Sequence, residues 1–259
     1  MPNNILEEIA AKTRIRVERA KADRHAADGR ISFEQAIAAP GLSFICEVKK
    51  ASPSKGIIAE DFPYLEIAKE YEAGGAAAIS VLTEPDYFLG SDQHLREIAA
   101  EVKIPVLRKD FIIDPYQIYE AKVLGAQAVL LICALLDTET LRSYIKIAAG
   151  LGLSALVEIH NETEAEQAIR AGARIIGINN RSLQTFNVDI AAGAALRKSI
   201  PDGILAVAES GISSPEDITF ISELNFDAVL IGESLMRAAD KKQFLAKLKT
   251  NTRRVYEQN

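Results

Sequence analysis

The sequence predicts an α/β protein in which eight strand-helix units close into a (β/α)8 barrel of the TIM type, preceded by an N-terminal helical extension. Short continuous apolar runs alternate with longer amphipathic segments, and they recur at the spacing of a repeated βα unit. Continuous apolarity is typical of parallel strands that are buried on both faces. The 259 residues suffice for one such barrel, and we find no linker or low-complexity segment that would divide the chain.

The first part of the chain precedes the strands. Over residues 5–26 apolar side chains recur near the spacing of a helical turn, with charges between them, which predicts a surface helix. A second helical segment, 32–39, opens with Ser32 as a capping residue and stops before Pro40. We therefore expect one domain in which residues 1–40 form a helical extension and residues 41–259 form the barrel.

The barrel units follow in order along the chain. The apolar runs predict strands at 43–48, 77–82, 105–108, 128–132, 155–159, 175–179, 205–208 and 228–231. The amphipathic segments predict helices at 64–73, 114–124, 138–151, 162–171, 190–199 and 215–223. Glycines such as Gly125 and Gly172 follow several of these segments and are typical helix caps. Eight units without a second sheet favour a closed barrel over an open doubly wound sheet.

Charge and cysteine content narrow the function class. The chain has 30 basic and 36 acidic residues, so a general nucleic-acid surface is not expected. Cys46 and Cys133 lie in apolar runs without metal-ligand spacing, which indicates buried free thiols of a reducing compartment. The N-terminal segment resembles neither a secretory signal nor a membrane helix. We expect a cytoplasmic protein with no membrane or nucleic-acid partner.

Polar residues gather where the predicted strands end, and that end carries the active site in (β/α)8 barrels. Any single one could be a solvated charge at a strand end. Bringing several charged side chains together at one end of the barrel removes them partly from water, which costs free energy. Such a grouping therefore favours a function. The set consists of Glu47, Lys49, Lys109, Glu158, Asn179, Glu209 and Ser210.

Two glycine-containing turns point to a phosphorylated ligand. Gly211 follows the seventh strand in the segment ESGI, and Gly232 follows the eighth in IGES. Loops at these two positions often bind phosphate in such barrels. Glycine lets the backbone come close to the phosphate, and a helix N-terminus presents main-chain N–H groups to it. We expect Gly232→Val to raise chiefly the KM.

The chain closely resembles the indole-3-glycerol phosphate synthase family. The resemblance is carried by EVKKASPSKG (47–56), LRKDFIIDPYQIYEAKVLGA (107–126), ALVEIHNETEAEQA (155–168), IIGINNRSLQTFNVD (175–189), AESGI (208–212) and LIGESLMR (230–237). It implies a decarboxylating lyase of tryptophan biosynthesis. Such an enzyme closes the indole ring of 1-(2-carboxyphenylamino)-1-deoxy-D-ribulose 5-phosphate, with loss of carbon dioxide and water.

The resemblance also implies roles for individual residues. Lys109 would be the general acid at the substrate carbonyl, and Glu158 the general base of the dehydration. Lys49 would hold the substrate carboxylate, Glu47 would orient the lysines, and Asn179 would position the intermediate. The remaining positions are Arg181, Glu209 and Ser210 in the site, and Ser54, Gly211, Gly232 and Ser234 around the phosphate.

The implied ligand is an anionic phosphosugar-anthranilate molecule, with no cofactor and no metal. We expect a monomer or weak homodimer without an obligate partner. Carbonyl activation needs a proton donor, and a second lysine nearby would lower the pKa of Lys109 unless the carboxylates offset it.

Three alternatives remain. An aldolase-like barrel would form a Schiff base on Lys109, which borohydride would trap. A sister phosphoribosyl barrel, such as an isomerase or the tryptophan synthase α subunit, would share the phosphate loops. An inactive phosphosugar-binding or scaffold barrel would produce no indole fluorescence.

Overall fold

The structure is a computed structural model that describes residues 31–182 and 187–256, with side chains as far as residue 250. The chain divides into two compact units, Met1–Arg30 and Ile31–Asn259. The first unit, with the helix expected at 5–26, lies outside the described residues. A single domain with an extension over 1–40 therefore stays a prediction.

Eight parallel strands form a closed barrel, as predicted. Each strand pairs with its neighbours along the chain, and β1 pairs with both β2 and β8, which closes the sheet. The strands are β1 (Ser43–Val48), β2 (Ala78–Leu82), β3 (Val106–Lys109), β4 (Ala128–Ile132), β5 (Ser154–Ile159), β6 (Ile175–Asn179), β7 (Leu205–Glu209) and β8 (Ala228–Ile231).

The six predicted barrel helices are present, with ends that differ by up to two residues from the prediction. Ser32 caps the short helix α1 through its hydroxyl, and Gly125 and Gly172 cap helices in the left-handed region, at φ of 94° and 90°. The helices are α1 (Phe33–Ile37), α2 (Tyr64–Ala73), α3 (Asp92–Glu101), α4 (Tyr116–Leu124), α5 (Thr138–Gly150), α6 (Glu162–Ala171), α7 (Ile190–Arg197), α8 (Pro215–Ser222), α9 (Glu233–Arg237) and α10 (Lys241–Tyr256).

The core has two layers, and their alternation along each strand positions the site. One layer packs the outer face of the barrel against the helices, and the other fills the barrel interior. Phe33 and Ile37 of α1 belong to the interior layer. It also contains Ile45, Leu107, Leu156, Val207 and Leu230. Since side chains alternate along a strand, the residues two positions later also face inward, at the carboxyl ends of their strands. They are Glu47, Lys109, Glu158, Glu209 and Gly232.

Both cysteines are buried and free, as predicted. Burial raises the pKa of the Cys133 thiol to about 12. In the part of the chain that the structure describes, no helix combines the length and the apolarity that crossing a membrane requires.

Candidate active site

Lys109 lies at the carboxyl end of β3 between the carboxyl groups of Glu158 and Glu209. Its Nζ is 3.3 Å from Glu158 Oε2 and 3.9 Å from Glu209 Oε2. Burial alone would lower the pKa of Lys109, but attraction by Glu158, Glu209 and Glu47 outweighs burial and raises it. The carboxylates thus offset the lysine-lysine repulsion that the sequence suggests, and Lys109 carries its proton at neutral pH.

Glu47 and Lys49 form a second ion pair at the end of β1. Lys49 Nζ donates to Glu47 Oε1 at 2.6 Å, and the Glu47 side chain is buried. Burial acts to raise the pKa of Glu47, yet the positive charges of Lys49 and Lys109 lower it overall. Glu47 is therefore ionised, and its charge acts on both lysines.

Glu158 and Glu209 share Lys109 but differ in protonation. Burial would raise the pKa of Glu158, whereas Lys109 and the neighbouring His160, whose Nε2 lies 3.4 Å from Glu158 Oε1, lower it to about 2. Burial and repulsion by Glu158 raise the pKa of Glu209 to about 8. Two carboxyl groups that share one ammonium do not both ionise easily, because the two negative charges repel each other. Of the two glutamates beside Lys109, Glu158 is therefore a carboxylate and Glu209 is a carboxyl group that titrates near physiological pH.

Gly177 on β6 makes room for the Glu209 carboxyl group. A Cβ atom at Gly177 would collide with Glu209 Oε1 and would lie 3.3 Å from Leu156 Cδ1. That glycine pairs with Glu158 across the strand ladder, so a larger residue would disturb both carboxylates. The role of Gly177 was not predicted from the sequence, because a glycine inside the strand IIGIN is only a weak signal that another group approaches the backbone closely.

We expect the stability of the fold to depend on pH through Glu209. Its pKa is about 8 in the folded state against 4.5 ordinarily, so the folded form loses stability as pH rises from 4.5 through 8. Glutamine cannot ionise, so Glu209→Gln should raise the melting temperature more at pH 9 than at pH 6. Thermal unfolding at both pH values measures this. An equal shift at both pH values would contradict the assignment.

The end of β6 contacts Glu158 and the loop after β1. The Asn179 side chain hydrogen-bonds Glu158, and its Oδ1 accepts the main-chain N–H of Arg181 at 3.0 Å. Arg181 Nη1 lies 3.5 Å from Ser54 Oγ. Ser54 is in the turn of a hairpin whose short strands are Ala51–Ser52 and Gly56–Ile57. Four of the predicted site residues are thus brought together.

The two glycine turns after β7 and β8 lie side by side. Ser210 and Gly211 adopt left-handed backbone, at φ of 67° and 84°. Asn180 Nδ2 donates to the main-chain oxygen of Ser210 at 3.0 Å. Ser234 Oγ donates to the main-chain oxygen of Ile212 at 3.0 Å, which joins the two turns. The hydroxyl proton of Ser234 is therefore already used in a contact within the protein.

Gly232 lies against the ion pair of β1, which changes the expected effect of Gly232→Val. A Cβ atom there would collide with Glu47 Oε1 and lie 2.9 Å from Lys49 Nζ. We now expect kcat to fall as well, by about 10- to 100-fold, because both charged groups must move. Steady-state kinetics should compare it with Gly150→Val, where a Cβ would meet nothing within 4 Å. An unchanged kcat would restore the simpler expectation of a KM effect alone.

Two aromatic residues on the loops after β2 and β3 were not predicted as site residues. The rings of Phe88 and Phe111 have centroids 6.0 Å apart, and Phe111 is 43% exposed. The main-chain oxygen of Phe88 accepts the N–H of Ala51 at 3.2 Å, so this pair lies beside the hairpin. The position of Phe111, two residues after Lys109, was the available signal. The pair supplies an apolar surface near the charged mouth.

Metal binding receives no support from the side chains of the described residues. Over 31–182 and 187–250 no three His, Cys, Asp or Glu side chains are grouped so that they could hold a metal ion. The charged cluster instead pairs lysines with carboxylates, an arrangement suited to proton transfer and anion binding.

Comparison with solved structures shows the fold. The 3-hexulose-6-phosphate synthase from Salmonella typhimurium aligns with a TM-score of 0.68 at 15% identity, over 82% of this chain and 99% of that one. The thiamine phosphate pyrophosphorylase from Pyrococcus furiosus aligns with a TM-score of 0.61 at 17% identity, over 83% and 96%. These similarities support the barrel and nothing further.

Sequence comparison shows the family. A family model described as indole-3-glycerol phosphate synthase matches residues 3–248. The protein of that name from Ruminiclostridium cellulolyticum is 57% identical, over 95% of this chain and 98% of its own length. The one from Endomicrobium trichonymphae is 53% identical, over 95% and 99%. With the closed barrel and its charged mouth, these matches establish that the chain belongs to the indole-3-glycerol phosphate synthase family.

Proposed function

We propose that the barrel mouth is where this member of the indole-3-glycerol phosphate synthase family converts 1-(2-carboxyphenylamino)-1-deoxy-D-ribulose 5-phosphate to indole-3-glycerol phosphate, carbon dioxide and water. Lys109 is the general acid and Glu158 the general base. The observation that carries these roles is the 3.3 Å contact between Lys109 Nζ and Glu158 Oε2, in which the glutamate raises the pKa of the lysine and the lysine lowers the pKa of the glutamate. A proton donor and a proton acceptor are thus present together.

Ring closure needs the substrate carbonyl to become electrophilic. The Lys109 ammonium, kept charged by its carboxylate neighbours, donates a hydrogen bond and then a proton to the carbonyl oxygen as the aryl carbon attacks. The new carbon–carbon bond forms at the ring carbon that bears the carboxylate. Loss of carbon dioxide from that carbon restores the aromatic ring.

Dehydration completes the reaction. The hydroxyl group formed at the former carbonyl leaves as water, and an acid must protonate it. The carbon next to the one that loses the hydroxyl group gives up a proton as the second ring becomes aromatic, and the Glu158 carboxylate accepts that proton. Glu209, with a pKa of about 8, and Lys49, within hydrogen-bond distance of Glu47, are the further groups able to carry protons or hold charge at this step.

The anionic groups of the substrate meet local positive charge in an acidic protein. Lys49 faces the mouth and is proposed to hold the carboxylate. The phosphate is proposed to bind the main chain of the turns at Gly211 and Gly232, with Ser54 and Ser234 beside it. Arg181, whose guanidinium reaches the hairpin at Ser54, adds a positive charge on that side.

The aryl ring of the substrate requires an apolar contact. Phe88 and Phe111 supply it, because their rings lie on adjacent loops at the mouth and one of them is exposed. Aromatic side chains prefer offset or tilted arrangements with another ring, and the 41° angle between these two leaves faces available. We therefore place the carboxyphenyl group beside this pair.

The test is an assay of indole fluorescence after the carboxyphenylamino substrate is added to the purified protein. We expect fluorescence to rise as product forms and carbon dioxide to be released in equal amount. An inactive scaffold would give neither. Adding borohydride in a parallel sample should leave no stable adduct on Lys109.

The Schiff-base alternative is disfavoured by the charge of Lys109. A lysine attacks a carbonyl as the neutral amine, which a lowered pKa would favour. Here Glu158, Glu209 and Glu47 raise the pKa of Lys109 instead. A borohydride-stable adduct would contradict the general-acid role and support the aldolase-like reaction.

Localisation, partners and oligomeric state are proposed from charge, cysteine content and the composition of the site. The net charge of -6 and the two buried free thiols support a cytoplasmic protein without a nucleic-acid or membrane partner. We propose a monomer or weak homodimer, because the residues of the candidate site come from one chain. Light scattering coupled to gel filtration measures this directly. A stable higher oligomer would contradict it.

A further inference from the structure

His160 lies directly behind the proposed general base. It follows β5 two positions after Glu158. Its Nε2 is 3.4 Å from Glu158 Oε1, and its Nδ1 is 3.1 Å from Glu164 Oε2. The imidazole, 11% exposed, thus lies between a carboxylate of the mouth and a carboxylate in the first turn of α6. Neither the mechanism above nor the sequence motifs give this histidine a role.

Glu164 is fixed in place by its own hydrogen bonds. Its Oε2 accepts the main-chain N–H of His160 at 2.8 Å, and its Oε1 accepts Asn161 Nδ2 at 2.8 Å. Asn161 in turn caps α6 by accepting the Glu164 main-chain N–H at 2.9 Å. Both oxygens of this carboxylate are therefore held, which makes Glu164 a rigid anchor for the imidazole.

The groups form a row of alternating charge that ends at the general acid. Glu164, His160, Glu158 and Lys109 follow one another with contacts of 3.1, 3.4 and 3.3 Å. Burial would lower the pKa of His160, but Glu158 and Glu164 outweigh it and raise it to about 9. The other titratable groups facing this row are Glu209, beside Lys109, Glu47, whose charge acts on Lys109 and Glu158, and the Cys133 thiol, which lies 3.7 Å from the main-chain oxygen of Glu164. The imidazole is therefore a cation at neutral pH.

We propose that His160, anchored by Glu164, is a positioning residue for Glu158. The imidazolium of His160 lies against Oε1 of Glu158, so that Oε2 of Glu158 faces Lys109 and the substrate. Its charge keeps Glu158 ionised although Glu209 and Glu47 surround the same site. This inference rests on the proposed role of Glu158 as the general base.

The first test is the pH dependence of kcat in His160→Gln. Removing the imidazolium raises the pKa of Glu158, so this base is protonated, and activity lost, at higher pH than in the wild type. We expect the acid limb of kcat, set by Glu158 with its pKa of about 2, to move upward by about one pH unit. Glu158 stays ionised at pH 7 in both proteins, so the fall in kcat expected there, about 10-fold with little change in KM, reflects lost positioning of the carboxylate. A residue needed only for folding would lower the melting temperature without moving the limb.

Glu164→Gln provides a second variant that leaves the histidine in place. We expect the acid limb of kcat to move upward in this variant too, but by less than in His160→Gln. The imidazole remains, but it loses its anchor and part of the stabilisation of its positive charge. Glu166→Gln is the matched control, because Glu166 lies on the same helix with a side chain 71% exposed and pairs with Arg170. Its acid limb should match that of the wild type.

A measurement without turnover accompanies the kinetics. The chain has 3 histidines, so the ring signals of His160 can be assigned in NMR spectra by comparison with His160→Gln. We expect His160 to be an imidazolium at pH 7 in the wild type and to titrate at lower pH in Glu164→Gln and Glu158→Gln. A neutral ring at pH 7 in the wild type would overturn the proposal.

Failure of this inference differs from failure of the proposed site. Wild-type turnover in Glu158→Gln would remove the base itself and the proposal with it. A slow Glu158→Gln together with wild-type acid limbs in His160→Gln and Glu164→Gln would retain the base and overturn the role of His160.

Discussion

Lys109→Ala is expected to lower kcat by about 10² to 10⁴, the range for loss of a general acid. Two effects combine in this variant. The substrate carbonyl loses its proton donor, and the carboxyl groups of Glu158 and Glu209 lose the ammonium that lies 3.3 and 3.9 Å from them. Without that charge the pKa of Glu158 rises, so part of the general base is lost as well. Steady-state kinetics with the fluorescence assay measures the change.

The matched control for that variant is Lys69→Ala. Lys69 lies on α2 and pairs with Glu101 at 2.9 Å, with a side chain 53% exposed. An exposed pair of this kind contributes little to stability, and it is remote from the barrel mouth. We expect wild-type kcat in the control. A Lys109→Ala variant that folds and turns over at the wild-type rate would remove the proposed acid.

Glu158→Gln is expected to lower kcat by about 10² to 10⁴ through loss of the general base. Glutamine keeps the shape of the side chain and can still hydrogen-bond Asn179, but its amide cannot accept the proton lost during dehydration. KM should change less than kcat, because the proposed phosphate contacts lie at the turns after β7 and β8. The comparison is made at saturating substrate and at several pH values.

Glu139→Gln serves as the charge-matched control. Glu139 lies in the first turn of α5 with a side chain 79% exposed, and it pairs with Arg142 on the same helix. It should retain wild-type kcat. If Glu158→Gln behaved like this control, Glu158 would not be the base, and the contact with Lys109 would be structural only.

The barrel was predictable from the sequence because each strand is a continuous apolar run. Two strands extend one residue further than predicted, to Lys109 and Glu209. Their ladder partners explain this, since Leu82 pairs with Lys109 and Asn179 pairs with Glu209. A charged residue at the end of an apolar run gives no sign of whether the neighbouring strand will pair with it.

Three helices were not predicted, namely α3, α9 and α10. The helix α9 has only five residues and α10 is more polar than the predicted helices, but α3 has the length and the amphipathic pattern of the predicted helix α6, so its periodicity was present and was missed. For α3 a further signal was Ser91, whose side chain accepts the N–H of Gln93 and caps the helix. The residues of α9 were assigned to the phosphate turn, which they directly follow.

The positions of the charged site residues were predictable, but their protonation was not. Alternation along the strands places Glu47, Lys109, Glu158 and Glu209 on the inward side. It cannot show that Glu158 is ionised while Glu209 is protonated, because that difference depends on distances to Lys109 and His160 across strands. The space that Gly177 leaves for the Glu209 carboxyl group likewise depends on how two strands pack, which the sequence does not show.

The central claim is that Lys109 and Glu158 act together as acid and base. The most direct test follows indole fluorescence in the wild type, Lys109→Ala, Glu158→Gln and the double variant, each with saturating substrate. Residues that act as a unit are non-additive, so the double variant should be no more than about 10-fold slower than the slower single variant. Single variants with wild-type rates, or effects that multiply fully in the double variant, would contradict the claim.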